Sequence, residues 1–223
     1  ADHSEWNKTL ADIRRKEPMP HSSYEGEIAP WQALEAFCEI TDHKAIITTE
    51  VGQNQMWAAQ HCKVEAPRRF LSSGGLGTMG FGFPAAIGAA YACPGQTVCC
   101  VAGDGSLMMN IQELDTCARY NIPVKIMLLN NACLGNVRQW QYLFYNCRYS
   151  NTIYTRNPDF VALSESMGVP AFSVSSPGEL RPAIEKMLAE PGPALLDVRI
   201  PQGAMVLPMV YPGDSIDNMV STL

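Results

Sequence analysis

The amino-acid sequence predicts an α/β fold, a doubly wound parallel sheet of about six strands with helices on both faces. Hydrophobic runs alternate with helical patterns between residues 30 and 200, which is typical of repeated βαβ units. Two of these runs, residues 98–102 and 124–129, indicate strands buried inside a sheet. Apolar residues make up 47% of the 223 residues, enough for a sizeable core.

Each element follows from local signals. Pro30 fits the first position of an amphipathic helix, Pro94-Gly95 ends another, and Asn110 with Glu113 resembles a capping box. Helices are predicted at 30–40, 84–93, 110–120, 137–144, 157–167 (capped by Asn157-Pro158) and 176–189. Strands are predicted at 45–49, 69–71, 96–102, 124–129, 171–174 and 194–200.

The two ends of the chain differ in composition from the middle. Residues 1–29 carry charges and prolines and are expected to form a linker or docking arm, without the pattern of a signal peptide. Residues 30–200 are predicted to form one large α/β domain. Residues 201–223 form a C-terminal tail, which we expect either to order over a substrate as an active-site lid or to fray.

Charge and cysteine content exclude several classes of protein. The 16 basic and 22 acidic residues give a net charge of −6, which argues against a nucleic-acid or membrane surface. None of the eight cysteines forms a Cys-x-x-Cys pair, and Cys99 and Cys100 lie inside a predicted strand. We therefore expect a soluble, cytoplasmic protein with reduced and mostly buried cysteines.

Polar residues follow two of the predicted strands directly. Asp104 lies in a Gly-Asp-Gly turn after one strand, and Asn131 lies in an Asn pair after the next. Open α/β sheets place their ligands at the carboxyl ends of strands, and carboxylate and amide oxygens suit Mg²⁺. Gly105 and the backbone N–H groups that follow it, such as that of Ser106, allow a phosphate to approach closely. The sequence thus predicts a magnesium–diphosphate site.

Gly103-Asp104-Gly105, a spacer of 24 residues and Asn130-Asn131 resemble the thiamine diphosphate signature of 2-oxoacid decarboxylases and carboligases. The resemblance implies that thiamine diphosphate and Mg²⁺ bind here, with Asp104 and Asn131 as metal ligands. It implies a third metal ligand in the backbone carbonyl of Cys133, and it continues through Leu134 and Gly135.

Two further segments narrow the resemblance to acetolactate (acetohydroxyacid) synthases. Residues 50–60 are similar to the segment that holds the diphosphate there, which implies cofactor contacts from Val51, Gly52, Gln53 and Asn54. The family usually has His where Asn54 stands, and Glu50 is expected to have a structural or solvated role. In the glycine-rich loop of residues 72–82, the resemblance implies that Gly77 binds the aminopyrimidine and that Met79 holds the cofactor bent. Met79 as a core filler is the alternative.

Gln139-Trp140 is similar to the family's synthases that make precursors of branched-chain amino acids. The resemblance implies that Trp140, with Val137, shapes the pocket for the second 2-oxoacid; a core position on the helix is the alternative for Trp140. Asn136 departs from the family's usual methionine beside the cofactor, which affects the expected substrate preference.

The resemblance covers nearly the whole chain but only the last of the family's three domains. In the family a glutamate of the pyrimidine-binding domain activates the cofactor, so we expect no catalytic residue in this chain and no activity from it alone. The expected partners are that domain and the middle domain, in the same enzyme or as a split subunit, and a second copy of the chain in a homo-oligomer. Any FAD in the complete enzyme is not expected on this domain.

Three alternatives stay open at this stage. The first is another thiamine diphosphate-dependent decarboxylase or carboligase, and the second is a non-catalytic cofactor-binding module. The third is a nucleotide-binding Rossmann domain, which is disfavoured because no Gly-x-Gly-x-x-Gly follows the first predicted strand.

Overall fold

The computed structural model describes residues 2–221, so Ala1, Thr222 and Leu223 of the predicted terminal segments lie outside the described residues. Contacts divide the chain into a large unit, Tyr24–Val206, and a small unit formed by the two terminal segments. The predicted domain boundaries, after residues 29 and 200, differ from this division. Residues 24–29 and 201–206 belong to the large unit, where Ile28 and Val206 are both fully buried.

The large unit is built on a six-stranded sheet with the order β2-β1-β3-β4-β6-β5. Every neighbouring pair of strands is parallel, which confirms the predicted α/β class. The strands are β1 (Ile46–Thr49), β2 (Phe70–Ser72), β3 (Val98–Gly103), β4 (Val124–Asn130), β5 (Ala171–Val174) and β6 (Ala194–Arg199). All six lie within two residues of their predicted bounds.

The described residues form nine α-helices, of which those of the large unit connect the strands and pack around the sheet. They are α1 (Ser4–Lys16), α2 (Pro30–Ile40), α3 (Gln53–His61), α4 (Gly82–Ala92), α5 (Asp104–Leu107), α6 (Glu113–Tyr120), α7 (Gly135–Phe144), α8 (Phe160–Ser166) and α9 (Leu180–Ala189). Short 3-10 helices lie at Pro177–Glu179, just before α9, and at Ile216–Asn218. The sequence analysis did not predict α1, α3 or α5.

The core has two layers, one on each face of the sheet. Phe83 of α4, Leu114 of α6 and Phe160 of α8 pack in one cluster with alternate residues of the central strands, such as Val98 and Ile126. The residues between them point to the opposite face, because side chains alternate along a strand. Helices α3 and α9 contact the sheet and α2 packs against both of these helices. The sheet is therefore covered on both faces, as predicted.

Two predicted helix caps are wrong. Helix α6 begins after Gln112, which gives no side-chain cap, and the Asn110 side chain donates instead to the Gly80 carbonyl at 2.6 Å. Helix α8 is capped by Asp159, whose carboxylate accepts the N–H groups of the second and third helical residues, and not by Asn157. In both cases a neighbouring loop competes for the asparagine side chain.

The small unit contains α1, which has no buried residue among those described, and an antiparallel bridge between Met209 and Val220. The expectation that residues 201–223 form either a lid or a frayed tail stays a prediction. Within the described residues, the structure contains no helix with the length and apolar character needed to cross a membrane.

All eight cysteines are free thiols. Five are buried, namely Cys38, Cys99, Cys100, Cys117 and Cys133, whereas Cys147 is exposed. The reduced and mostly buried state predicted from the sequence is the state of these thiols in the structure.

Candidate functional site

A cavity of about 240 Å³ lies where the carboxyl ends of β1, β3 and β4 meet. The connection from β1 leads to β2 on one side, whereas β3 leads to β4 on the other, so the strand order reverses between β1 and β3. Such a switch point leaves a crevice between the loops of the two neighbouring strands, where open α/β sheets bind their ligands. The topology thus creates the cavity.

All the residues that the sequence analysis named as cofactor contacts line this cavity, as do Cys133 and Val137. Trp140 lies outside it, in a neighbouring shallow pocket that Val137 also lines. Trp57 and Leu129 line the cavity as well and were not predicted. Both are large apolar residues, and apolar character alone gave no reason to assign them to a site.

Asp104 directly follows β3, as the first residue of α5, and is 2% exposed. Its Oδ1 accepts the Gly105 N–H at 2.9 Å, and its Oδ2 accepts from Asn157 Nδ2 at 2.8 Å. Burial raises the pKa of the Asp104 carboxyl, although these hydrogen bonds oppose the shift. The side chain that contacts it in the described part of the chain is neutral, so the carboxylate lacks a cationic partner there.

Asn131 follows β4 and lies beside the same cavity. Its Nδ2 donates to Gln53 Oε1 at 3.1 Å, and its Oδ1 accepts the Cys133 N–H at 3.3 Å. These contacts fix the orientation of the carboxamide. Asp104 and Asn131 therefore present oxygen atoms from two neighbouring strands to one cavity.

The backbone between Asn131 and Cys133 is strained. Ala132 has a φ of +54°, a conformation that costs energy in a residue with a Cβ. Its carbonyl accepts the Tyr154 N–H at 2.9 Å and Gln202 Nε2 at 3.2 Å, which hold the turn. Burial raises the pKa of the Cys133 thiol to about 12, so at neutral pH this residue does not offer a thiolate.

Gln53 is buried at the start of α3 and uses its whole carboxamide within the protein. Its Nε2 donates to Gln139 Oε1 at 2.8 Å and to the Ala204 carbonyl at 2.9 Å, while its Oε1 accepts from Asn131. Gln53 thus orients a candidate metal ligand. Gln139 is fully buried in α7 and was not predicted to belong to the site. Its residue type gives no signal, because Gln141 on the same helix is also a glutamine.

Gly135, the first residue of α7, allows these side chains to meet. A Cβ at this position would overlap Gln53 Oε1 and would lie 2.7 Å from Asn131 Nδ2. Gly52, just before α3, has a φ of +139°, which a residue with a side chain rarely adopts. Close packing therefore requires glycine at the first position and backbone conformation requires it at the second.

Asn54 is 4% exposed, and its Nδ2 donates to the Val101 carbonyl at 3.1 Å. This bond ties α3 to β3. The second N–H of the same amide group is the one that a phosphate oxygen could accept from, so the contact predicted for Asn54 stays a prediction.

Glu50 is fully buried, in agreement with the structural role expected for it. Its carboxylate accepts the N–H of Gly80 at 2.7 Å and that of Phe83 at 2.9 Å. These contacts connect the end of β1 to the first turn of α4 and to the loop that carries Gly77 and Met79. Burial raises the pKa of Glu50, and the backbone N–H donors oppose the shift.

Helix α7 carries buried polar atoms without hydrogen-bond partners among the described residues. They include Asn136 Oδ1 and Trp140 Nε1. Asn136 lines the cavity and Trp140 lines the neighbouring pocket. Buried polar atoms usually have partners, so these two mark the surface on which a ligand or further protein would supply them.

A doubly wound sheet with an oxygen-lined crevice at its switch point defines the class, a domain that binds a phosphate-bearing cofactor. Comparison with protein families identifies the cofactor. The chain belongs to the family described as thiamine pyrophosphate enzyme, C-terminal TPP binding domain, which matches residues 50–198. The matched residues include all of those that line the cavity.

Relatives of known name agree with this family. The chain is 45% identical to acetolactate synthase 1, chloroplastic, of Oryza sativa subsp. japonica, over 99% of this chain and 35% of the relative. It is 48% identical to the acetolactate synthase isozyme 2 large subunit of Escherichia coli (strain K12), over 83% of this chain and 34% of the relative. The chain spans about a third of the length of these curated relatives and matches their C-terminal region.

A solved structure is similar as well. It is the Rhodococcus jostii RHA1 thiamine diphosphate-dependent 4-hydroxybenzoylformate decarboxylase, with a TM-score of 0.74 and 28% identity. The similarity covers 82% of this chain and 34% of that chain. The recognition of the fold and of the thiamine diphosphate family from the sequence is confirmed.

Proposed function

We propose that this chain binds thiamine diphosphate together with Mg²⁺ in the cavity at the ends of β1, β3 and β4. The observation that carries the proposal is the placement of the buried Asp104 carboxylate, whose hydrogen-bond partners among the described residues are neutral, beside the Asn131 carboxamide. Oxygen donors of this kind fit Mg²⁺, and the Cys133 carbonyl would complete the protein ligands. A thiolate site for a softer metal is disfavoured, because the other proposed ligands are hard oxygen atoms.

The diphosphate would lie against the backbone that follows Gly52 and Gly105, at the start of α3 and in the first turn of α5. Gly105 packs closely against Tyr154, since a Cβ at this position would lie 2.6 Å from Tyr154 Oη. The lack of a side chain would also let a phosphate group come close to the Gly105 backbone. The N–H groups after these glycines and the Asn54 side chain would donate to phosphate oxygens. Met79, in the loop anchored by Glu50, would support the bent cofactor, as the resemblance implies.

Bound thiamine diphosphate supplies the nucleophilic carbon and the electron sink that decarboxylate a 2-oxoacid and join its acyl group to a second one. This chain's residues hold and orient the cofactor through its diphosphate end. Val137 and Trp140 would shape the space for the second 2-oxoacid. The similarity to acetolactate synthases supports pyruvate as first substrate, and acetolactate or acetohydroxybutyrate as product.

The complete activity would need the remaining two thirds of a relative's length. We propose that a pyrimidine-binding domain provides the activating glutamate, that a middle domain is present, which is where FAD would bind, and that the assembly is homo-oligomeric. The purified chain alone should therefore form no acetolactate from pyruvate. A cytoplasmic location and a role in branched-chain amino-acid biosynthesis belong to the same proposal, although the rice relative is named chloroplastic.

A second candidate is a thiamine diphosphate-dependent decarboxylase, which the Rhodococcus structure favours. The higher identity to acetolactate synthases and the presence of Trp140 favour carboligation. Product analysis of a complete enzyme with pyruvate, with and without 2-oxobutyrate, separates the two. An acetohydroxyacid product supports carboligation, whereas an aldehyde as the sole product supports decarboxylation.

The first experiment measures the melting temperature of the chain with thiamine diphosphate, Mg²⁺ and both together. A ligand that binds only the folded state raises the melting temperature by mass action. We expect the joint addition to give the largest rise and Asp104→Ala to abolish it. Asp115→Ala, which removes an exposed ion pair with Arg119 on α6, is the matched control and should keep the rise. Equal melting temperatures with and without both ligands in the unsubstituted chain would contradict the proposal.

A further inference from the structure

The segment between α7 and α8 lies against the loop that carries Asn131 and Cys133. The Leu134 N–H donates to the Thr152 carbonyl at 2.8 Å, and the Tyr154 N–H donates to the Ala132 carbonyl at 2.9 Å. Cys133 and Ile153 form an antiparallel bridge between these contacts. The segment is therefore held in register with the loop, and its later residues reach Asp104.

Asn157 extends from this segment to both strand ends of the candidate metal site. Its Nδ2 donates to Asp104 Oδ2 at 2.8 Å and to Asn130 Oδ1 at 3.0 Å. A carboxamide nitrogen has two N–H groups, so these two acceptors use its whole donor capacity. One side chain thus fixes both the proposed ligand at the end of β3 and the residue before the proposed ligand at the end of β4.

The contacts continue into the sheet. Asn130 Nδ2 donates to Asp197 Oδ1 at 2.9 Å, and Asp197 is fully buried on β6. The other oxygen of Asp197 lies 2.9 Å from the Arg199 guanidinium. Asn157 is therefore held by a buried polar network that spans β3, β4 and β6 and not by a flexible surface contact.

We propose that Asn157 is a positioning residue for metal binding, one that makes the site prefer Mg²⁺ over Ca²⁺. Asn157 donates to Oδ2 and the Gly105 N–H donates to Oδ1, so each oxygen of the Asp104 carboxylate has a donor, the carboxylate is held in one orientation, and chelation of a cation through both oxygens is disfavoured. Mg²⁺ accepts single oxygen atoms in octahedral geometry, whereas Ca²⁺ takes more ligands and often both oxygens of a carboxylate. The inference rests on the proposed function of the cavity.

The chemistry of the position requires an amide. Aspartate at position 157 would donate no hydrogen bond and would place a second negative charge beside Asp104 Oδ2. Without the donor, the Asp104 carboxylate could offer both oxygens to a cation, which suits the larger coordination shell of Ca²⁺. Serine would retain one hydrogen-bond donor and alanine would retain none. The serine and alanine variants therefore change the number of donors, and the aspartate variant also changes the charge.

The test measures the melting temperature of the full chain at a fixed excess of thiamine diphosphate while Mg²⁺ or Ca²⁺ is titrated. Residues that orient metal ligands typically contribute about 10- to 100-fold to metal affinity. We expect Asn157→Ala to weaken the apparent Mg²⁺ affinity by about tenfold or more, and Asn157→Ser to lie between this variant and the unsubstituted chain. Asn157→Asp should move the affinity ratio toward Ca²⁺. Far-ultraviolet circular dichroism establishes that each variant is folded.

Thr152→Val is the matched control. Thr152 lies in the same segment, and its hydroxyl donates to Gln141 Oε1 at 2.7 Å without contacting Asp104. This variant should melt at a lower temperature than the unsubstituted chain but retain its ratio of Mg²⁺ to Ca²⁺ affinity.

Three results overturn the inference. An unchanged ratio in both Asn157→Ser and Asn157→Asp overturns it while leaving the proposed function intact. The same change of ratio in Thr152→Val assigns the effect to the segment and not to Asn157. Absence of any response to metal and thiamine diphosphate in the unsubstituted chain overturns the proposed function, and the inference with it.

Discussion

Gln139 and Val206 exchange two hydrogen bonds although they lie 67 positions apart in the chain. Gln139 Nε2 donates to the Val206 carbonyl at 2.7 Å, and the Val206 N–H donates back to Gln139 Oε1 at 2.8 Å. The buried carboxamide thereby pairs with both backbone polar groups of Val206, as a residue of a neighbouring strand would. It fixes residues 204–206, which in turn bind Gln53 and Trp57 beside the cavity.

Replacing Gln139 by Ala should destabilise the chain strongly. The change leaves the buried peptide groups of Val206 without partners, and each unsatisfied buried group costs about 1–3 kcal/mol. We expect the free energy of unfolding in urea to fall by about 2–4 kcal/mol. Gln141→Ala on the same helix, at a half-buried position, is the control and should cost less. Equal losses for the two variants would show that the pairing with Val206 is energetically unimportant.

Gly135→Ala should weaken cofactor binding much more than Gly88→Ala does. The new Cβ would overlap Gln53 Oε1, so Gln53 and Asn131 must move apart. Calorimetry with thiamine diphosphate and Mg²⁺ measures the loss. Gly88→Ala is the matched control, because its Cβ would meet nothing within 4 Å on the exposed side of α4. It should stabilise the chain by roughly 0.5–1 kcal/mol and leave binding unchanged.

Glu50 should make the stability depend on pH. Because burial raises its pKa above the ordinary value of 4.5, the folded state binds more protons than the unfolded state above that pH. The contribution of Glu50 to the free energy of unfolding is therefore greatest below pH 4.5 and decreases as the pH rises through the folded-state pKa. Glu50→Gln stays neutral, so its stability relative to the unsubstituted chain should increase over this range.

Urea unfolding at a series of pH values checks this expectation. Glu39→Gln serves as the control for the loss of one charge, since Glu39 forms an exposed ion pair with Arg181. A difference between the Glu50→Gln variant and the unsubstituted chain that stays constant with pH would contradict the raised pKa.

The thiols should divide into two groups by reactivity. Cys147 is exposed, whereas Cys99 is fully buried and burial raises its pKa to about 12. A maleimide reagent followed by peptide mass spectrometry should label Cys147 in the folded chain within minutes to hours, and Cys99 after denaturation only. Labelling of Cys99 at a similar rate under native conditions would mean that β3 opens readily. The variant Cys147→Ser removes the fast phase and serves as control.

The strands and most helices could be predicted because their signals are local. Alternating hydrophobic runs and helix patterns located β3 and β4, and the positions of Asp104 and Asn131 after them followed from sequence position alone. Helix α3 was missed because it begins inside the motif at Gln53 and its apolar residues do not follow one helical face. Short α5 offers too few residues for any periodic signal.

The polar network around the cavity could not be predicted, since its partners are distant in sequence. The local signal at Asn157-Pro158 indicates a helix cap, yet Asp159 is adjacent to the helix start and supplies the cap. That leaves Asn157 available for Asp104, 53 positions earlier in the chain. Likewise, no local pattern in the sequence indicates that Gln139 is buried and that Gln141 is not. Only the packed structure shows which of the two is buried.

The contacts of Gln53 have a consequence for synthesis on the ribosome. Its carboxamide binds Ala204, which lies 151 positions later, and Gln139, which lies 86 positions later. Domains generally fold as units during translation, and the contact between Gln53 and Ala204 cannot form before residue 204 has left the exit tunnel. Gln53 acquires its last partner only after that point. The cofactor cavity is therefore among the last parts of the nascent chain to mature, and a ribosome that stalls before residue 204 exposes an incomplete site.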